Sequence, residues 1–156
     1  MQLKQIDIGG LVPPNYVVLA PLAGYTNAVF REMCFNLGAG LTFTEMVSAK
    51  GLCYNSRNTR ELLYITPSYG GIRAVQLFGS DPEYMKRAAE SEDIAPFDLI
   101  DINMGCPVPK IYNNGEGSAL LNDFVRARRV IEACKASGTR VSVKFRIGVS
   151  AGKLVS

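Results

Sequence analysis

Short apolar, β-branched runs alternate with amphipathic stretches along this chain. Val17–Ala20 reads as a strand, and Asn27–Leu37 has helical spacing that stops at Gly38, a natural C-cap glycine. Leu41–Thr44 is a second strand, followed by a looser helical segment near Arg57–Leu63. Ala74–Phe78 is a third, and Ser80-Asp-Pro-Glu83 after it has the form of a helix start with proline in the first turn. Leu99–Asn103 is a fourth strand. Beyond a Gly/Pro-rich loop, Asp123–Ser137 is helical and closes at Gly138, and Val141–Phe145 is the fifth strand.

Strands and helices in strict alternation imply a parallel α/β sheet with right-handed crossovers. Two architectures produce that order, the doubly wound sheet and the (β/α)8 barrel. The turn after the first strand, Pro21-Leu-Ala-Gly-Tyr25, has no GxGxxG pattern, which a doubly wound dinucleotide fold would carry there. Each strand leads instead to a residue with useful chemistry: Pro21, Glu45, Gln76, Asn103 and Lys144. A TIM barrel gathers such groups at the carboxyl ends of its strands. The reading is therefore an incomplete TIM (β/α)8 barrel with about five of its eight βα units, since a full barrel takes about 250 residues.

Composition adds limits. The 156 residues are 47% hydrophobic and 20% charged, which describes one globular domain and excludes a disordered tail, a collagen-like repeat or a disulfide scaffold. The longest apolar stretch, Tyr16–Ala23, contains Pro21 and falls short of the roughly 20 residues of a membrane helix. An acidic residue in the opening Met1–Asp7 argues against an export signal, so a cytoplasmic location without membrane attachment is expected. A net charge of +3 barely moves the expectation of nucleic-acid binding.

The absence of histidine matters more, because it removes the commonest general acid/base and metal ligand. The four cysteines are 19, 53 and 28 residues apart with no CxxC pair, so neither a metal site nor a disulfide framework is expected. Cys34 recurs with Phe30, Met33 and Leu37 at helical spacing, and Cys134 with Val130 and Ile131. Both cysteines are expected in the core.

Cys106 differs. In Asp101-Ile-Asn-Met-Gly-Cys-Pro-Val-Pro109, Gly105 permits a close turn after the strand, while Pro107 and Pro109 stiffen the chain just beyond it. A buried small hydrophobe is one reading; a thiol presented at the strand's carboxyl end is the other. With no histidine present, a thiolate–imidazole couple is excluded. A neutral thiol acting as proton donor remains, given an ordinary cysteine pKa of about 8.5.

Five segments, Leu19–Asn27, Thr44–Gly51, Val75–Gly79, Asp101–Pro107 and Val143–Gly148, resemble the tRNA-dihydrouridine synthases, most closely the bacterial ones, in the family's order and spacing. The resemblance implies an FMN-dependent reductase on a TIM barrel, with NADPH as reductant and tRNA as substrate. Hydride would pass from reduced FMN to carbon 6 of a uracil, and a proton from the cysteine to carbon 5. Residue by residue, Cys106 matches the proton donor. Pro21, Leu22 and Ala23 match the loop against the flavin, with Leu22 where the family usually has Met. Gln76 matches the side chain on the isoalloxazine edge, Lys144 the flavin-contacting lysine, and Asn103 an asparagine facing flavin and target base. Taken alone, Gln76 also fits a strand-end hydrogen bonder, and Lys144 an ion pair with Glu45 or Asp101.

The family continues past the fifth strand with three more strands, a histidine near the flavin, glycine-rich phosphate loops and a helical tRNA-binding domain. Residues 1–156 thus correspond to the N-terminal part of the catalytic barrel, and Gly148–Ser156 departs from the family's pattern. Weak FMN binding by this stretch alone and self-association through open barrel edges are the expected consequences. Two other readings fit the same segments. One is a free-pyrimidine flavin reductase of the dihydropyrimidine or dihydroorotate dehydrogenase type. The other is a non-catalytic remnant that self-associates.

Overall fold

The computed structural model describes residues 5–150 and 153–154. Met1–Lys4 and part of the Gly148–Ser156 ending, both of which carry expectations from sequence, lie outside the described residues. Five strands form one sheet: β1 (Val18–Leu19), β2 (Leu41–Ser48), β3 (Arg73–Phe78), β4 (Leu99–Met104) and β5 (Arg140–Phe145). All four pairings are parallel and the spatial order is β1-β2-β3-β4-β5, the order of the chain. A doubly wound sheet reverses direction at a switch point; a barrel steps round one way. The monotonic order is that of a partial barrel, as the sequence predicts. A short antiparallel hairpin, β6 (Gly148–Ser150) with β7 (Lys153–Leu154), comes after β5 and has no counterpart in the pattern of apolar runs.

The main helices are α1 (Ala28–Asn36), α2 (Ala49–Cys53), α3 (Arg57–Glu61), α4 (Pro82–Ala89), α5 (Pro109–Tyr112) and α6 (Phe124–Lys135), with a 3-10 helix at Gly117–Asn122. Their starts follow from local chemistry. Asn27, Asp81 and Asp123 each accept a backbone N–H of the first turn, from Phe30, Glu83 and Arg126, and Pro82 stands at the first position of α4. None of the helices among the described residues is long and apolar enough to cross a membrane.

Alternation along the strands sorts side chains onto two faces. Val75, Leu77, Ile100, Ile102 and Met104 point to the helix-covered face, where they pack with Met85, Val130 and Cys134 in the main core. Cys134 is fully buried, as expected. The concave face is divided. At its amino-terminal end, Leu41, Phe43, Ala74 and Leu99 form a small apolar cluster. Ile8 and Leu11 close it from below, on a tight turn whose Gly9 carbonyl accepts Arg140 Nε at 2.9 Å. The carboxyl-terminal end is polar.

One expected core face is corrected. On α1, Cys34 is only half-buried, Met33 is exposed, and Leu37 is 81% exposed. The inward residue is Arg31, whose guanidinium donates to the Thr26 and Tyr64 carbonyls at 2.7 and 2.6 Å. One turn on, Phe35 packs on Tyr69 with ring centroids 5.2 Å apart, and it fills the space beside Gly71. Two carbonyls and an aromatic partner thus turn the helix away from the face that apolar spacing selects.

Candidate active site

The polar end of the concave face is built by strand register. Gln76, Asp101 and Ser142 lie side by side across β3, β4 and β5, and Asn103 pairs with Lys144 one step nearer the carboxyl ends. The side chains join within and between these rows. Gln76 Nε2 donates to Asp101 Oδ2 at 2.6 Å, Ser142 Oγ to Asp101 Oδ1 at 2.7 Å, and Asn103 Nδ2 to Gln76 Oε1 at 2.9 Å. Asp101 is buried, and that burial pushes its carboxyl above the usual aspartate range. The hydrogen bonds from Gln76 and Ser142 and the charge of Lys144 act the other way.

Gln76 and Glu45 lie inside their strands rather than at the ends. β2 runs to Ser48 through an irregularity between Phe43 and Met46, and Thr44 Oγ1 there takes the Gln76 backbone N–H at 3.0 Å. Gln76 is 1% exposed, so its amide meets Asp101 and Asn103 rather than open solvent.

The loop carrying Cys106 leaves β4 and is held on all sides. Asn103 Oδ1 accepts the backbone N–H groups of Gly105 and Cys106 at 3.2 and 3.0 Å. The Cys106 carbonyl accepts both the Ser118 backbone N–H and its hydroxyl, each at 3.0 Å. Arg146 Nε donates to the Gly105 carbonyl at 2.5 Å. Gly117 passes so close that a side-chain carbon there would lie 2.6 Å from the Cys106 oxygen. Cys106 is partly exposed.

The β1–α1 loop is equally fixed. Leu22 N–H donates to Thr26 Oγ1 at 3.1 Å, and the Leu22 carbonyl accepts Tyr25 and Thr26 N–H, both at 3.0 Å. Glu45 Oε2 accepts the Gly24 N–H, which ties the loop to β2. Leu22 is left 49% exposed, with Ala23 beside it exposed and Pro21 half-buried.

The family model described as dihydrouridine synthase matches residues 18–154. The chain belongs to the dihydrouridine synthase family. It is 39% identical over 147 residues to tRNA-dihydrouridine synthase B of Pseudomonas aeruginosa, covering 94% of this chain and 44% of that protein. Against tRNA-dihydrouridine synthase B of Escherichia coli K12 it is 40% identical over 136 residues, or 86% and 42% of the two chains. A probable tRNA-dihydrouridine synthase of Rickettsia bellii is 34% identical over 144 residues, 92% and 44%. The chain thus spans less than half the length of these family members. Five parallel strands in chain order, with helices between them, fit that share of the family's barrel.

Of the site residues read from sequence, Gln76, Asn103 and Cys106 are brought into one hydrogen-bonded series, with Lys144 the strand partner of Asn103. Pro21, Leu22 and Ala23 belong to a separate pinned loop, anchored on β2 through Gly24 and Glu45. Sequence reasoning passes over Ser142, Gly117 and Ser118, and treats Asp101 only as an ion-pair candidate for Lys144. The alternation Asp101-x-Asn103 and Ser142-x-Lys144, polar on one strand face and apolar on the other, is the signal that points to the row.

Proposed function

We propose that this chain supplies the N-terminal part of the catalytic barrel of an enzyme that reduces uridine in tRNA to 5,6-dihydrouridine, with FMN as cofactor and NADPH as reductant. The observation that carries this reading is the partly exposed Cys106 on a loop fixed through Asn103 and Ser118 at the carboxyl end of β4.

The residues present fit a flavin. Exposed Leu22 and Ala23 offer an apolar ledge, Lys144 an exposed cation, and half-buried Asn103 a carboxamide next to the thiol loop. Gln76, buried between Asp101 and Asn103, holds the Asn103 carboxamide in place from behind. When bound, FMN supplies the hydride that reaches carbon 6 of the uracil. Lys144 stabilises negative charge beside it. Cys106 holds a proton on Sγ and gives it to carbon 5, the resulting thiolate regaining a proton from water. The base leaves its stack to come between these groups, because no barrel-mouth side chain reaches it inside a helix.

The test combines flavin retention with product analysis. In the enzyme with its barrel complete, FMN survives desalting as a visible flavin band, and Lys144→Ala weakens it. With NADPH and unmodified tRNA, dihydrouridine measured by mass spectrometry depends on Cys106, and Cys106→Ala abolishes it while the flavin band stays. Faster formation of dihydrouracil from free uracil than of dihydrouridine in tRNA would overturn this reading in favour of a free-pyrimidine reductase.

A further inference from the structure

Four side chains and one loop form a single directed series. Ser142 Oγ and Gln76 Nε2 donate to Asp101, Asn103 Nδ2 donates to Gln76 Oε1, and the N–H groups of Gly105 and Cys106 donate to Asn103 Oδ1. A carboxamide can be turned end for end, exchanging nitrogen and oxygen, so the direction of such a series has meaning only where its ends forbid the exchange. Both ends forbid it here. The Asp101 carboxylate offers acceptors only, and the loop's backbone N–H groups are donors only. The first requires Gln76 nitrogen toward Asp101, leaving Oε1 for Asn103. The second requires Asn103 oxygen toward the loop, leaving Nδ2 for Gln76. These requirements come from opposite ends and agree. Turning Gln76 alone would set its oxygen against Asp101 and its nitrogen against that of Asn103, at separations now 2.6 and 2.9 Å.

We propose that Asp101 is a positioning residue for Cys106, fixing the polarity of the Gln76 and Asn103 amides and through them the hydrogen bonds that hold the Cys106 loop. The importance of that role rests on Cys106 being the proton donor of the proposed reaction. Asp101 is 3% exposed, and its carboxylate accepts from Gln76 and Ser142, so it reaches the loop through Gln76. A buried carboxylate costs more to desolvate than an apolar side chain of its size, and an apolar side chain here would leave Gln76 held only by its bond from Asn103.

Amide hydrogen exchange of Cys106, read by NMR on the full chain without flavin or tRNA, tests this separately from the reaction. Asp101→Ala speeds exchange at Cys106 by about fivefold, the worth of one neutral hydrogen bond, and leaves Met85 in α4 unchanged. Asp101→Asn restores the wild-type rate, because Asn Oδ1 still accepts from Gln76 while its Nδ2 donates to Ser142 Oγ. Gln76→Met cuts the series in the middle and matches Asp101→Ala, which keeps the test usable where that variant fails to fold. The proposal is overturned by an unchanged Cys106 rate in Gln76→Met, by Asp101→Asn exchanging as fast as Asp101→Ala, or by Met85 accelerating in parallel. If the exchange results hold while Cys106→Ala still forms dihydrouridine, the positioning stands and the assignment of the proton donor falls.

Discussion

Gly117 is where the backbone of the thiol loop is packed most tightly, and replacing it with alanine gives a calculable loss. Its φ is +59°, and an added Cβ would meet the Cys106 carbonyl oxygen at 2.6 Å and both Cys106 Cβ and Ile111 Cγ2 at 3.0 Å. The left-handed conformation alone costs alanine about 1 kcal/mol. Relief of the contact requires the Cys106 carbonyl to move off the Ser118 N–H and hydroxyl, two neutral hydrogen bonds worth about 1 kcal/mol each. Gly117→Ala should therefore destabilise the chain by about 3 kcal/mol, a large share of the roughly 5–15 kcal/mol typical of a domain. Gly138→Ala is the control, because Gly138 has φ +79° but nothing within 4 Å of an added Cβ, so it carries only the conformational cost. With a urea m-value of about 2 kcal/mol/M, the midpoint falls by about 1.5 M for Gly117→Ala and about 0.5 M for Gly138→Ala. Equal shifts in the two variants would refute the packing argument and show that only backbone conformation matters.

Burial pushes the Cys134 thiol up to about 12, so at about pH 8 iodoacetamide labels Cys106 and spares Cys134 until urea unfolds the chain, as peptide mapping would show; labelling of both at similar rates refutes it. For Asp101, burial raises the folded-state pKa above the ordinary aspartate value of about 3.9, so the folded chain binds this proton more tightly than the unfolded one. Its contribution to stability is present below that value and is lost as pH rises through the raised one. Asp101→Asn should therefore gain stability relative to the parent as pH rises above about 4 in urea unfolding, and a pH-independent difference would refute it.

Different physics decides which features are visible in the sequence. Strand positions are legible because each run is short, β-branched and bounded by turn residues, and capping at Asn27, Asp81 and Asp123 is a local matter. The second half of β2 is hidden because its irregularity between Phe43 and Met46 breaks the alternation that marks a strand. The orientation of α1 is hidden too, because apolar spacing at Phe30, Cys34 and Leu37 says nothing about carbonyls at Thr26 and Tyr64, the latter 33 residues away from Arg31.

The same limit governs the site. Cys106 and Asn103 stand three residues apart in one motif, and a turn after a strand is enough to relate them. Gln76, Asp101 and Ser142 share no local segment, and only the in-register packing of β3, β4 and β5 sets them in a row. Even the row does not give the direction of its hydrogen bonds, since a glutamine and an asparagine are each written with one letter whichever way the amide faces. That direction comes from the two groups at the ends that cannot reverse, a carboxylate and a pair of backbone N–H groups. The Cys106 backbone is thus tied to a residue at the start of the same motif, through Asn103 of that motif and Gln76 of a different strand.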